Sequence, residues 1–265
     1  MSAPARADIE TLLRARKLDI TLTTTAAWRT ASSHDVAATG LPAVDAALGG
    51  GIRRGQLSEI IGPRSAGRTT VMCRALAAAA ARSELVALID PFDRFDPVAA
   101  EAAGLELSRL LWVRDAGGGG TVTVHQLVAT RGVKAMNLVL RAGGFGLVVL
   151  DLADAGTPVR RQLPFTTWLR LARTIEGSQT VAVVVADEHL ARSPGGVTIA
   201  LRGCPKWTGV SDRTRLLCGI DPQPRILTAA QLSAIGDQRT RTVAEPDDPT
   251  TIPEHRPCAF RPTTI

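Results

Sequence analysis

The stretch LSEIIGPRSAGRTT, residues 57–70, joins an apolar run to a loop bounded by two glycines. The run 57–61 is short and rich in branched apolar residues, which is typical of a buried strand. The loop has the glycine spacing GxxxxG, formed by Gly62 and Gly67, and an alanine-rich helical pattern follows it. Strand, glycine loop and helix in this order are the context in which a P-loop, a phosphate-binding loop, is recognised.

The loop predicts a phosphate site built mainly from backbone amides. Gly62 and Gly67 permit positive φ angles and close approach of the backbone, and the following helix adds its N-terminal amides to the anion nest. The expected metal ligands are the hydroxyl of Thr69 and the carboxylate of Asp151, which ends the apolar run 147–151. The predicted cofactor-binding residues of the loop are Gly62, Arg64, Ser65, Ala66, Gly67, Arg68, Thr69 and Thr70.

Arg68 stands where the motif has a lysine. An ammonium is a compact charge, whereas a guanidinium is wide and planar and needs a different pocket. Two interpretations therefore stay open. The loop either binds nucleotide in an altered way or is a retained fold element whose site has decayed.

Outside this loop, apolar runs alternate with helical patterns over residues 37–220. The runs are nearly continuous, as expected for strands covered on both faces, and comprise LSEII (57–61), LVALID (85–90), LLWV (110–113), LVVLD (147–151) and VAVVVAD (181–187). Helical patterns lie near 68–82, 97–103, 122–141 and 166–176. The alternation predicts an α/β fold, a P-loop core with a largely parallel central sheet flanked by helices.

Composition divides the chain into three parts. Residues 1–36 combine a short amphipathic helix over 6–18 with a linker rich in Thr and Ser. Residues 37–230 form the predicted core domain. Residues 231–265 contain several prolines among polar residues and are predicted to be an irregular, disordered tail.

The overall composition narrows the function classes. Aromatic residues make up 3% of the chain and Tyr is absent, which argues against nucleobase recognition by stacked aromatics. The four cysteines lack the spacing of a disulfide framework or a zinc site. We attribute the Arg-rich net charge of +6 to codon bias and reserve phosphate contacts for particular loops. Since no apolar signal segment or membrane-length run is present, we expect a cytoplasmic protein without a membrane partner.

Three blocks of the sequence, in order, resemble the core of the bacterial RecA recombinase. They are TGLPAVDAALGGGIRRGQLSEIIGPRSAGRTT (39–70), LIDPFDRFDPVAAEAAGLELSRLLWV (88–113) and GFGLVVLD (144–151). The similarity extends over about residues 37–220. The resemblance implies a RecA-type ATPase fold, sites for ATP and Mg²⁺, and two DNA-facing loops after the fourth and fifth core strands.

The segment after the second core strand departs from the RecA pattern at its catalytic position. The family has a glutamate two residues after the aspartate that ends this strand. Here Asp90 is followed by Pro91 and Phe92, so the general base is missing. Asp93 is adjacent, but its side chain is expected to point elsewhere.

The nucleotide contacts implied by the resemblance are only partly retained. The aromatic that stacks on adenine falls at Ala99, while the nearby adenine-contacting aspartate is kept as Asp96, which joins the predicted cofactor-binding residues. The glutamine that senses the terminal phosphate aligns near Asp187, a carboxylate that would repel phosphate. Several defects in one site argue against efficient ATP turnover.

These departures together resemble the degenerate RecA-like accessory proteins of the mutagenic translesion cassette, the ImuA type. The resemblance implies an SOS-type DNA damage response with three partners: an ImuB-type Y-family-like adaptor, an error-prone polymerase and RecA itself. We therefore predict an accessory or scaffold protein of DNA repair and translesion synthesis with little or no ATP hydrolysis. One alternative is an active DNA-dependent ATPase or recombinase that uses Arg68 and a relocated carboxylate, Asp93 or Glu188. A third hypothesis is a regulator that binds ATP without turnover.

Arginines in two segments are candidate contacts for single-stranded DNA. Arg160 and Arg161 follow the strand that ends at Asp151, and Arg192 and Arg202 flank the segment after the fifth strand. These are the positions where RecA has its DNA loops. Contacts to phosphates would be salt-sensitive and independent of base sequence. The other interpretation is that these arginines are simply solvated.

Three further features have ordinary explanations. Trp168 lies at helical spacing from Leu171, which predicts core packing. His189 lies beside two carboxylates but near no nucleophile, so it is predicted as a surface or loop residue. The segment 231–235 weakly resembles a peptide that docks on sliding clamps, and an amphipathic segment is the interpretation we favour.

Overall fold

A computed structural model of the chain describes residues 35–115, 122–153, 155–156, 163–191, 196–209 and 215–227. The predicted helix at 6–18 and the predicted tail 231–265 lie outside these residues. The domain boundaries therefore stay predictions. Within the described ranges, no helix combines the length and apolar character needed to cross a membrane.

The secondary structure alternates strands with helices along most of the described chain. The strands are β1 (Val36–Ala37), β2 (Ile52–Arg53), β3 (Leu57–Ile61), β4 (Leu85–Asp90), β5 (Leu110–Arg114), β6 (Phe145–Asp151), β7 (Val181–Ala186), β8 (Thr198–Thr208) and β9 (Leu216–Leu227). The helices are α1 (Pro42–Leu48), α2 (Arg68–Ala81), α3 (Pro97–Ala102), α4 (Val122–Ala142) and α5 (Phe165–Ile175). A 3₁₀ turn, Leu107–Arg109, leads into β5.

The central sheet has seven strands in the order β5-β4-β6-β7-β3-β8-β9. Neighbouring strands from β5 through β8 run parallel, and β9 pairs with β8 in the antiparallel direction. The short strands β1 and β2 form a separate antiparallel pair. The predicted α/β fold with a largely parallel sheet is confirmed.

Helices cover both faces of the sheet, as the continuous apolar strands require. One cluster of buried residues packs α2 on the sheet through small and branched side chains such as Leu76 and Ala79. The cluster on the opposite face includes Met136 of α4 and Trp168 of α5. Trp168 is 1% exposed, which confirms its predicted role in the core.

The predicted strands and helices of the core agree with the structure to within two residues at each end. The helix α1, the β1–β2 pair and the β8–β9 hairpin were not predicted. The strands of this hairpin contain Pro205, Pro222 and Pro224, residues that normally argue against a strand. Prolines are tolerated in β9 because it is an edge strand. At positions whose backbone nitrogen faces away from β8, a proline costs no hydrogen bond between strands. The sequence pattern alone does not reveal which strand will lie at the edge.

Candidate functional site

The glycine loop 62–67 lies on the side of the sheet formed by the carboxyl ends of the parallel strands. It connects β3 to α2. In the sheet, Ile61 at the end of β3 lies opposite Ala186 of β7 on one side and Ala200 of β8 on the other. The residues that follow Ala186 and the middle of β8 therefore meet the glycine loop, at the edge where open α/β sheets bind ligands.

The backbone of the loop has the predicted shape, although its two glycines serve different purposes. Gly67 has φ +89° and is the N-cap residue of α2. Since it has no side chain, the first amides of α2 receive no side-chain hydrogen bond from it. Ser65 also has a positive φ, +61°. Gly62 is not in the positive-φ region; a Cβ added there would lie 2.7 Å from the carbonyl oxygen of Leu201. Close packing, rather than a left-handed conformation, explains glycine at that position.

The β8–β9 hairpin forms a wall of the loop that the sequence analysis missed. A Cβ added at Gly67 would lie 3.0 Å from Cβ of Pro222, and a Cβ added at Gly203 would lie 2.2 Å from the carbonyl oxygen of Ser65. A cleft of about 430 Å³ opens between this hairpin and the start of α2. The glycine at position 203 was an available sequence signal, but it is easily taken for a loop residue.

Arg68 points into the protein, where it is paired with a carboxylate. Its side chain is 8% exposed, and Nη1 donates a hydrogen bond to Oδ1 of Asp187, the residue that follows β7. The pairing with Arg68 does not follow from the sequence, which predicts only that the carboxylate of Asp187 would repel phosphate. The two departures from the family pattern are therefore in direct contact.

The predicted metal ligands lie on α2 and at the end of β6, two elements that are in contact. Thr69 and Thr70 are exposed in its first turn, and Asp151 is partly buried at the end of β6, where Oδ1 accepts a hydrogen bond from the amide of Ala153 at 2.9 Å. Cys73, one turn along α2, is close enough to sense Asp151. Burial raises the pKa of Cys73 to about 11, with smaller contributions from the charges of Asp151 and Asp96.

Asp96 has a structural role at the N-terminus of α3. It is exposed, and its Oδ1 accepts hydrogen bonds from the amides of Val98 at 3.0 Å and Ala99 at 3.3 Å, as an N-cap does. The predicted adenine contact stays a prediction.

The loop after β4 is packed with apolar side chains. Asp90 is 1% exposed and turns back to accept hydrogen bonds from the amides of Arg94 at 3.0 Å and Phe95 at 2.8 Å. Pro91 is buried, and the ring of Phe92 lies edge-on to the ring of His125 on α4 at 5.6 Å.

Asp93 lies in the turn after β4, beside an arginine of β5. Its φ is +53°, and its carboxylate lies 3.5 Å from Nη1 of Arg114 on β5. The prediction that this side chain points elsewhere agrees with that geometry. The loop thus contributes packing through Pro91 and Phe92 and an ion pair through Asp93.

Glu59 is a site residue that the sequence analysis did not single out. It is 1% exposed within β3, and it accepts hydrogen bonds from the amides of Leu190 at 2.7 Å and Ala191 at 2.5 Å and from the hydroxyl of Thr198 at 3.1 Å. A charged residue inside the apolar run LSEII was the available signal, because a buried carboxylate requires partners.

His189 lies in the same segment as the residues that Glu59 binds. Its Nδ1 is 2.5 Å from Oε2 of Glu59, within ion-pair distance, but the angles are not those of a hydrogen bond. The prediction of a loop position for His189 is confirmed, and its side chain is 19% exposed. Glu59 and Arg68 thus hold the two ends of the segment 187–191, Glu59 through amides and Arg68 through Asp187.

Of the predicted DNA contacts, only Arg202 lies within the described residues. It is an exposed residue of β8 rather than part of a loop, and it lies opposite Gln223 of β9. Arg160, Arg161 and Arg192 lie outside the described residues. All four stay predictions as DNA contacts.

The backbone of the glycine loop suits a phosphate group, but its basic side chain Arg68 is not arranged as the RecA resemblance implies for a bound nucleotide. The positive φ at Ser65 and Gly67 and the uncapped start of α2 suit an anion. The basic side chain, however, is already paired with Asp187. The described residues contain no group of three or more His, Cys, Asp or Glu suited to a metal. Thr69 and Asp151 stay the predicted protein ligands for Mg²⁺.

Comparison with known proteins agrees with the resemblance seen in the sequence. The family model of the RecA N-terminal domain matches residues 23–160. The chain is 35% identical to Protein RecA of Methylococcus capsulatus over 125 residues, 47% of this chain and 33% of that protein. It is 36% identical to Protein RecA of Deinococcus radiodurans over 124 residues, 46% of this chain and 31% of that protein.

A longer and more divergent match is to Protein RecA of Lactobacillus acidophilus, 28% identical over 162 residues. It covers 56% of this chain and 42% of that protein. The chain thus spans less than half of the length of each of these curated relatives.

Proposed function

The chain belongs to the family of the RecA N-terminal domain, and from this premise we propose that it is a RecA-like accessory protein of DNA repair. Its role is to support damage-induced, error-prone translesion synthesis through protein contacts, with little or no ATP hydrolysis. The partners that fit this role are an ImuB-type adaptor, an error-prone polymerase and RecA, with single-stranded DNA as a further candidate.

The packed loop after β4 is the observation that best supports an accessory role. Asp90 holds this loop closed through the amides of Arg94 and Phe95, and Phe92 packs toward α4. A general base must lie within hydrogen-bond reach of the water that it activates. Pro91 and Phe92 occupy the positions where that base is expected, and the carboxylate of Asp93 lies beside Arg114 instead. Loss of a positioned base lowers a rate by about 10²- to 10⁴-fold.

The retained phosphate loop favours one alternative, a DNA-dependent ATPase or recombinase. Gly67 keeps the left-handed conformation, Thr69 is exposed, and Asp151 ends its strand nearby. These residues are compatible with binding a nucleotide and Mg²⁺. In that case another carboxylate, such as Glu188, would have to replace the missing base.

Steady-state phosphate release separates the two functions. The full chain is incubated with ATP, Mg²⁺ and single-stranded DNA, with Protein RecA of Methylococcus capsulatus as the positive control. We expect no release above that of Asp151→Asn. Release that requires both DNA and Asp151 would overturn the accessory role and establish the ATPase alternative.

The partner prediction is tested separately by co-purification with the ImuB-type adaptor. We expect the full chain to be retained by the adaptor and a chain lacking residues 1–20 to be lost, because the amphipathic pattern at 6–18 is the candidate partner element. Retention of both chains would place the contact elsewhere. Failure of the full chain to bind would contradict the proposed partner.

A further inference from the structure

Arg68 and Asp187 are brought together by the order of the strands. Because β3 and β7 are paired and in parallel register, Ile61 lies opposite Ala186. The chain leaves Ile61 through the glycine loop to Arg68 and leaves Ala186 directly to Asp187. A cation at the first position of α2 and an anion at the first position after β7 therefore meet at the phosphate loop.

Such a buried cation requires a negative partner. The Arg68 side chain is 8% exposed, and a guanidinium at this burial is stable only when it is paired. In a P-loop, the bound phosphate supplies the negative charge near this position. Here the carboxylate of Asp187, itself 26% exposed, supplies it from within the chain.

We infer that Asp187 is the residue that excludes phosphate groups from this loop. Its carboxylate satisfies Arg68, and its charge opposes any second anion brought to the same guanidinium. The backbone of the loop remains suited to phosphate, so the exclusion depends on one side chain. The inference relies on the proposed function only in taking the loop after β3 as the phosphate site.

The neighbouring contacts keep Asp187 in position. The amides of Leu190 and Ala191 donate to Glu59, which is buried in β3 and is also bound by Thr198. The segment that contains Asp187 is thus attached three residues later to the strand that leads into the phosphate loop. Asp187 has little freedom to leave Arg68 unless these contacts break as well.

The test measures binding of inorganic pyrophosphate to the full chain by titration calorimetry, without Mg²⁺ and without turnover. We expect Asp187→Asn to bind pyrophosphate about tenfold more tightly than the original chain, because the like charge is removed and Arg68 lacks a counter-anion. The double variant Arg68→Gln/Asp187→Asn should lose this gain. Asp93→Asn is the matched control, since it removes one negative charge from the same edge at a residue paired with Arg114 and should change nothing.

A thermal measurement covers the case in which calorimetric signals are small. Breaking a buried pair by removing one partner is destabilising, so the unfolding midpoint of Asp187→Asn should fall by about 5 °C and rise again on addition of pyrophosphate. The original chain should need about tenfold more pyrophosphate for the same rise. Asp187→Gln, which places a neutral amide on a side chain longer than that of Asn, provides a second variant if Asp187→Asn does not fold.

Two results would overturn the inference. One is pyrophosphate binding by the original chain that is as tight as that of either Asp187 variant. The other is a gain that persists when Arg68 is also replaced. Neither result depends on ATP hydrolysis, so an active ATPase would contradict the proposed function without deciding the role of Asp187.

Discussion

Two loops at the carboxyl ends of the strands differ in character: the loop after β3, residues 62–67, and the loop after β4, residues 91–96. The first keeps a backbone suited to an anion, with positive φ at Ser65 and Gly67. The second is closed by Asp90 and filled by Pro91 and Phe92. Backbone geometry requires only a few permissive residues, whereas catalysis requires a particular side chain at a particular position. The shape of a site can therefore persist without its chemistry.

The largest effect in this comparison is expected at Asp90. Replacing it with Ala leaves the buried amide of Phe95 and the amide of Arg94 without their acceptor, which should lower the free energy of unfolding by about 3 kcal/mol. Urea denaturation measures the change. Asp96→Ala is the control, because it removes an exposed N-cap and should cost about 1 kcal/mol. Equal costs would mean that Asp90 does not hold its loop closed.

Gly67→Ala tests whether the phosphate loop depends on its backbone and on the hairpin behind it. The substitution forces a side chain into φ +89° and places Cβ 3.0 Å from Pro222, at an expected cost of about 2 kcal/mol. Gly49→Ala provides the match, because Gly49 has φ +71° with no atom within 4 Å of its Cβ position and should cost about 1 kcal/mol. If the two costs agree, the close approach of the added Cβ to Pro222 adds nothing to the cost of the substitution at Gly67.

Gly132→Ala tests the packing of the other loop. Alanine in a helix interior normally stabilises, but a Cβ at Gly132 would lie 2.5 Å from Cγ of Pro91, so we expect a net loss of about 1.5 kcal/mol. Replacing Pro91 with Ala removes the clashing atom. In a double-mutant cycle, Pro91→Ala should therefore reverse much of the loss. A stabilised Gly132→Ala would show that the loop yields easily.

The smallest effect concerns Cys73, which reports on the carboxylates near the phosphate loop. Its pKa in the folded protein is raised to about 11 from an ordinary value of 9.0, chiefly by burial and then by Asp151 and Asp96. Stability from this thiol is therefore complete below pH 9 and is lost as the pH rises toward 11. At pH 10 the loss relative to pH 8 should be about 1 kcal/mol, measured by urea denaturation.

Two variants check the origin of this pH dependence. Cys73→Ala should remove it, whereas Cys218→Ala, at an exposed cysteine, should leave it unchanged. An unchanged profile in Cys73→Ala would assign the pH dependence to other groups.

The sequence was sufficient for the parallel part of the fold because each strand is marked locally. The runs that became β3, β4 and β7 are short, apolar and separated by helical patterns, so their boundaries follow from residues close together in the chain. The glycine loop was equally local, since spacing and flanking elements define it. The departure from the family pattern after Asp90 was likewise visible in the next two residues, Pro91 and Phe92.

The tertiary structure alone decided what these residues contact. Arg68 and Asp187 are far apart in the sequence, and only the pairing of β3 with β7 brings them together. The same holds for Glu59 and Leu190, and for Pro222 behind Gly67. Local propensity encodes strands, helices and turns, whereas the partner of a buried charge depends on which distant strands become neighbours.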